Sequence, residues 1–224
     1  MKETPLTLGH ALRHSDHQLR RSEWQTNWAT ALFFRTPGVA MAWLLLRMGV
    51  TPMKVTLSGL ALAILMPICA SVLPLGIAGP VLFLLAVMFE ILDCADGTMA
   101  RISNTVSETG ARADFLADML HWGLLYLAFG ILADRMFDQF WLWTALAGIA
   151  AWLRLFARIC NDSVPKIEVE TSATLPPLWL RFIMGLSGLI PLLTIFPNHM
   201  HLVVSAVLIY ALLDIGDAVG RAFR

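Results

Sequence analysis

Apolar residues in this chain come in long blocks rather than in short alternating patterns. Six blocks approach the roughly 18 to 20 residues that a helix needs to cross hydrocarbon. They run from about Val55 to Leu73, Leu75 to Leu92, Phe115 to Ala133, Phe140 to Ala157, Leu178 to Phe196 and Leu202 to Ile215. Turn chemistry separates them: Pro74 with Gly76, the polar stretch Ser103 to Thr109, Asp134 with Arg135, the Pro165 to Pro177 loop, and Pro197 with Asn198. Thr51 followed by Pro52 reads as an N-cap with proline in the first turn, so the first spanning helix is expected to start there.

Residues 1–50 follow another pattern. Leu6, Leu8, Leu12, Leu19, Trp24, Trp28, Phe33 and Phe34 are interleaved with His, Arg and Gln, which predicts an amphipathic segment lying in the membrane interface. The apolar stretch Gly38 to Met48 is too short to span and is closed by Arg47. The expected organisation is therefore an interfacial segment over 1–50 and a six-helix membrane domain over 51–224. His10, His14 and His17 fall on one helical face. They read as a polar face near lipid headgroups, with a metal site as the alternative, although no acidic or Cys ligand completes one locally. The N-terminus lacks the early apolar core and small-residue cleavage pattern of a signal peptide and is expected to be retained.

Composition fits the blocks. Of 224 residues, 58% are hydrophobic and 14% charged, with a mean hydropathy of +0.69, which describes a polytopic membrane protein. The net charge is zero, and no basic groove points to nucleic acid. Cys69, Cys94 and Cys160 are isolated and odd in number, so they read as small buried hydrophobes. Charge matters through its position. Fifteen of the sixteen Lys and Arg residues fall on one side of a six-span arrangement, leaving Arg135 on the other. The positive-inside rule then predicts an all-α integral membrane protein with both termini cytoplasmic.

Against that background, the 26-residue stretch DCADGTMARISNTVSETGARADFLAD, from Asp93 to Asp118, stands out. A carboxylate near hydrocarbon costs at least ~3 kcal/mol to insert, so acids placed there are functional candidates. Asp93 and Asp96, spaced i, i+3, close one block, and Asp114 and Asp118, spaced i, i+4, open the next. Each pair shares a helical face, and a short return loop between antiparallel helices brings the faces together. Unscreened, the acids would repel by about 4 kcal/mol per close pair at an effective dielectric near 20. A hard divalent cation such as Mg²⁺ or Mn²⁺ answers that repulsion, and two of them clamp phosphate oxygens during in-line displacement. Gly97 and Gly110 leave room for close approach, and Arg101 can hold a phosphate. A structural salt-bridge cluster is the alternative, but Arg101 and Arg112 against four acids leave charge uncompensated. A cation transporter would spread its acids along a path across the bilayer, whereas here they gather at one rim.

Asp93, Asp96, Gly97, Ala100, Arg101, Gly110, Asp114 and Asp118 reproduce the signature D-x2-D-G-x2-A-R-x8-G-x3-D-x3-D. In this the chain resembles the CDP-alcohol phosphotransferase family, as do its six-span layout and the TPMKVTLSGL opening of the first span. Eight fixed positions coincide by chance less than about once in 10⁸ trials. The resemblance implies that an alcohol attacks the phosphorus of a CDP-linked substrate and CMP leaves. It implies two metal ions held by Asp93, Asp96 and Asp114, with Asp118 as the general base and a further candidate ligand. It also implies a nucleotide site built on Asp93, Asp96, Gly97, Ala100, Arg101 and Gly110. A homodimer in the inner (cytoplasmic) membrane, with its active site facing the cytoplasm, completes the expectation.

Members of this size resemble phosphatidyltransferases, which move a phosphatidyl group from CDP-diacylglycerol to a water-soluble alcohol. The rival within the family moves a phospho-aminoalcohol from a soluble CDP-alcohol to diacylglycerol, and its members are usually longer. Arg154, Arg158, Lys166 and Arg181 form a basic group that either binds a phosphorylated acceptor or reflects ordinary topology. His121, following Asp118, is a candidate acceptor contact or a packing residue. The segment DFLADMLHWG lacks the lysine common after the last aspartate of phosphatidylglycerophosphate synthases and looks more like the serine-using branch. Glu90 is a further buried acid, and Asp214 and Asp217 near the last span are expected to pair locally with Arg221, which lies i, i+4 from Asp217, rather than to form a second site.

Overall fold

A computed structural model describes residues 27–163, 182 and 185–222. Among these residues every regular element is helical. Two short helices, α1 (Trp28–Phe33) and α2 (Arg35–Arg47), precede three long ones, α3 (Pro52–Val72), α4 (Leu75–Ile102) and α5 (Glu108–Phe137). Then come α6 (Leu142–Ser163), a 3-10 segment (Leu186–Ile195), a 3-10 turn (Pro197–His199) and α7 (Met200–Ala222).

Five stretches are long and apolar enough to cross a membrane: Pro52–Val72, Leu75–Ile102, Glu108–Phe137, Leu142–Cys160 and Pro197–Gly220. The expected span 178–196 lies partly outside the described residues, and its described remainder is the ten-residue 3-10 segment containing Pro191. The first span starts at Pro52, as the Thr51–Pro52 pair predicts, with the Thr51 carbonyl accepting from Lys54 N at 3.1 Å.

The helices outrun the apolar blocks. At 1.5 Å per residue, the 28 residues of α4 reach about 42 Å, beyond a hydrocarbon core of about 30 Å. The apolar block fills that core, and the helix carries on through Asp93 to Ile102. Charge therefore marks where α4 leaves the hydrocarbon, while its backbone ladder continues. Asp134 and Arg135 make the same point and correct an expectation. Instead of breaking the chain, they lie in the last turns of α5, which runs on to Phe137.

The described chain divides into two compact units. The first comprises the described parts of Met1–Ala63, Leu84–Asp118 and Leu178–Leu192. Its core joins Ala42 of α2, Val55 of α3, and Ala95 and Met99 of α4, all at most 2% exposed. Gly38 presses against Cys94, and Gly59 admits the Phe89 ring. Helix α1 docks on the 182–188 segment: Trp28 stacks on Phe182 at 5.5 Å, and its indole N–H donates to the Phe182 carbonyl at 3.2 Å. The absence of side chains at Gly185 and Gly188 makes room for Trp28 and Thr30. Cys94 is buried in this unit, as its reading as a small buried hydrophobe requires, whereas Cys69 and Cys160 are only half-buried, which corrects that reading for them.

The second unit comprises Ile64–Phe83, the described parts of Met119–Pro177, and Leu193–Arg224 as far as it is described. Helices α6 and α7 pack side by side in it. Gly130 lets α5 meet α6 backbone to backbone, since a Cβ there would lie 2.6 Å from Thr144 Cα. Two charged side chains fasten helix ends. The Asp134 carboxylate accepts from Trp143 N and Thr144 N, each at 2.9 Å, and so caps α6 from another helix. Arg135 donates to the Ala70 carbonyl and, at 2.9 Å, to the Leu73 carbonyl at the end of α3. Asp134 is 7% exposed, so its removal would strand one buried and one part-buried N–H group. Asp134→Ala is expected to lower stability by about 1–2 kcal/mol, read as a drop in thermal midpoint in detergent. An unchanged midpoint would show that this cap contributes nothing.

Candidate functional site

The acid-bearing ends of α4 and α5 are joined by five residues, 103–107. Helix α4 closes with a Schellman motif: Thr105 N donates to the Ala100 carbonyl at 2.9 Å, and Asn104 N to the Arg101 carbonyl at 3.3 Å. Asn104 carries the left-handed φ of 53° that this closure demands, a conformation asparagine tolerates better than most residues. The Ser103 hydroxyl donates back to Met99 O at 2.7 Å. Four residues later Ser107 caps α5, its hydroxyl oxygen accepting from Gly110 N at 3.1 Å. A Cβ on Gly110 would sit 3.2 Å from that hydroxyl, so glycine keeps the cap uncrowded. The reversal therefore satisfies its own backbone groups and returns the chain within a few residues.

Its product is an acid cluster. Asp93, Asp96 and Asp114 each offer a carboxylate oxygen, and the three oxygens lie within 4.8 Å of one another. Asp96 is buried, Asp93 half-buried and Asp114 exposed. Asp118, Glu90, Asp114 and Asp96 all lie within electrostatic reach of Asp93, Asp118 being the strongest of these neighbours. Glu90 is 7% exposed and so adds a fifth acid beside the four of the signature. Three oxygens that close, with only hard-donor chemistry, fit a divalent cation such as Mg²⁺ or Mn²⁺.

Neighbouring residues hold the acids in place. The Thr56 hydroxyl on α3 donates to Asp96 Oδ2 at 2.5 Å, with a second, longer approach to Pro52 O at 3.3 Å. Arg101 lies within electrostatic reach of Asp96, and its guanidinium folds back over Gly97, where a Cβ would meet Nη1 at 3.4 Å. Arg101 also approaches Thr98 Oγ1 at 3.5 Å. Arg112, by contrast, pairs with Glu108 at 3.6 Å on an exposed face, which removes half of the salt-bridge alternative.

Beside the cluster opens a cavity of about 460 Å³, within the range of small-molecule sites. Gly97, Ala100, Arg101 and Gly110 line it, together with Asp96 and Asp114. The reading from sequence missed Thr51, Pro52, Met53 and Thr56 at the start of α3, Thr105, Val106 and Ser107 in the turn, and Ala111. Thr56 alone had a sequence signal, a hydroxyl one turn into an apolar span. Nothing in its pattern named Asp96 as the partner forty residues away.

The described candidate acceptor residues are not among those lining this cavity. His121 and Arg154 belong to the second unit. His121 is fully buried, its ring edge-on to Trp122 at 5.3 Å. Arg154 lies 4.3 Å over the Trp122 ring and 5.3 Å over Tyr210, with Asp214 Oδ2 at 3.9 Å. This corrects the expected local pairing of Asp214: it finds a basic partner on α6, because α6 and α7 pack side by side. Arg158 is exposed one turn further along α6. Lys166 and Arg181 lie outside the described residues, as do His10, His14 and His17.

Thr56→Val removes the donor to Asp96 while keeping the side-chain shape. It is expected to raise the concentration of Mn²⁺ needed for half-saturation by about 10- to 100-fold, whereas Thr56→Ser stays near the parent. Direct titration of Mn²⁺ binding checks this, and equal affinity in the valine variant would rule out a supporting role.

The family model described as CDP-alcohol phosphatidyltransferase matches residues 49–213, well over half of the chain, including the cluster, the turn and the cavity. A comparison with curated proteins finds no match. The matched family comprises membrane-embedded transferases of phospholipid synthesis that use CDP-alcohol substrates and generally depend on a divalent metal. With this match over most of its length, and with Asp93, Asp96 and Asp114 of the signature gathered together, two of them lining a cavity of suitable size, the chain belongs to the CDP-alcohol phosphatidyltransferase family.

Proposed function

We propose that this protein transfers a phosphatidyl group from CDP-diacylglycerol to a small water-soluble alcohol and releases CMP. The observation that carries the reading is the convergence of Asp93, Asp96 and Asp114 beside a 460 Å³ cavity lined by Gly97, Ala100, Arg101 and Gly110. Asp93, Asp96 and Asp114 would hold Mg²⁺ or Mn²⁺, two ions in this reading, with Asp118 as a further candidate ligand. Bound there, the metal supplies charge neutralisation for the pyrophosphate and the departing phosphate.

The chain's own residues do the rest. Gly97 and Ala100 leave width for the nucleotide, and Arg101, already held over Gly97, presents its guanidinium to a phosphate. Gly110 leaves that wall of the cavity without a side chain. Asp118 takes the proton of the attacking hydroxyl. The alcohol oxygen forms a bond to the β-phosphorus, the bond from that phosphorus to the bridging oxygen breaks, and CMP leaves with the electron pair. No covalent intermediate on the protein is needed.

The finer topology belongs to the same proposal: six spans with both termini cytoplasmic, an inner-membrane location, an active site on the cytoplasmic side, a homodimer, and an interfacial role for residues 1–50. Lone Arg135, engaged with the carbonyls that end α3, fits a face otherwise free of positive charge. Arg154, Arg158, Lys166, Arg181 and His121 remain the candidates for acceptor binding. The reverse transfer, of a phospho-aminoalcohol to diacylglycerol, is the second reading within the family.

Purified protein with Mn²⁺ and CDP-diacylglycerol is expected to release CMP with one acceptor from a panel of serine, glycerol phosphate, inositol, inositol phosphate and aminoalcohols. Turnover only with CDP-aminoalcohol and diacylglycerol would favour the reverse transfer, and no turnover of any CDP-substrate would overturn both. Asp118→Asn is expected to cut turnover by about 10²- to 10⁴-fold while CDP-diacylglycerol still binds.

A further inference from the structure

The family match begins at residue 49, so α1 and α2 lie outside it. Yet α2 touches the segment that bears two of the clustered aspartates. Gly38 is buried against α4 so closely that a Cβ would fall 2.5 Å from Cys94 Cβ, 3.2 Å from Ile91 O and 3.3 Å from Cys94 C. Those atoms are backbone or the first side-chain atom, and none can swing away. A side chain at position 38 must therefore displace one helix from the other. Cys94 lies between Asp93 and Asp96, and Ile91 lies two residues before Asp93. One turn further, Ala42 is fully buried in the core it shares with Ala95 and Met99. Near the start of α2, Arg35 brings a positive charge within electrostatic reach of Cys94, beside the acidic turn.

We propose that Gly38 is a positioning residue for the metal site: its missing side chain lets α2 brace the Asp93–Asp96 turn of α4, so that residues outside the family match hold the ligand geometry. Bracing matters because the acids repel one another. A turn carrying Asp93 and Asp96 that is free to shift relaxes by moving carboxylates apart, which lowers affinity for the cation that needs them together. The inference rests on the metal reading given above, and it assigns to α2 a part in the chemistry rather than only in membrane association.

Full-length protein in detergent is the test material, with Mn²⁺ binding read by electron paramagnetic resonance and folding read by thermal midpoint without metal. Gly38→Ala is expected to weaken Mn²⁺ binding several-fold and Gly38→Val by about tenfold or more, in the range seen when residues supporting a metal ligand are altered. At saturating Mn²⁺ the alanine variant should regain most of its kcat, which a globally damaged protein would not do. The double variant Gly38→Ala, Cys94→Gly removes the tightest of the three contacts, the Cβ pair, while the looser ones to Ile91 O and Cys94 C stay, and should recover a large part of the Mn²⁺ affinity lost in Gly38→Ala. If the parent itself binds no Mn²⁺, the metal reading fails. If the parent binds and both Gly38 variants bind equally well, or if the double variant is no better than Gly38→Ala, the positioning role of Gly38 is overturned.

Discussion

Like charges confined at the edge of hydrocarbon are the constraint on which this structure turns. Three carboxylate oxygens within 4.8 Å, with Asp118 and Glu90 close by, form an arrangement that an unassisted chain would spring apart. What keeps them together comes from four directions. The 103–107 turn fixes how α4 returns as α5. Thr56 grips Asp96 from α3. Arg101 lies folded over Gly97, and Gly38 admits α2 against the turn between Asp93 and Asp96. The same repulsion that threatens the fold suits these acids to a divalent cation, on which the family generally depends, so stability and chemistry draw on one feature. In a family that acts on CDP-alcohols, the substrate brings a second cluster of negative charge, its pyrophosphate. Metal between the two is the economical physical answer.

Helix ends recur as the places where this chain solves local problems. Three helices close through a left-handed residue: Gly49 after α2, Asn104 after α4 and Asp138 after α5. In each case the N–H of the next residue reaches back to a carbonyl five positions earlier. Short polar or side-chain-free residues suit that conformation because a bulky Cβ would strain it. Where the chain cannot cap itself, a charged residue from another helix does so: Asp134 for the start of α6 and Arg135 for the end of α3. Backbone groups near hydrocarbon have little water to turn to, so such partners matter more here than at a soluble surface.

Much of this was legible in order along the chain. The apolar blocks forecast five helices that the described residues contain, because the length of a spanning helix is fixed by the thickness of hydrocarbon. The acid spacings forecast shared helical faces, and the signature forecast the family, since both depend only on positions near in sequence. The helix limits were harder to read. Hydropathy ends where charge begins, while hydrogen bonds carry α4 on through its aspartates and α5 past Asp134 and Arg135.

By itself the sequence determined a helical chain with membrane-spanning lengths, the family it belongs to, and two acid pairs at the ends of successive apolar blocks. Periodicity and spacing are local, and hard-donor chemistry follows from residue type alone. Tertiary structure decided which distant residues complete the site. It paired Thr56 with Asp96 across forty positions, laid Gly38 against Cys94, and drew Thr51, Pro52 and Met53 into the cavity wall. It also gave Asp214 the partner Arg154, sixty residues away. Such pairings depend on how helices cross, and crossing is set by the sum of many packing contacts that no single stretch of sequence contains.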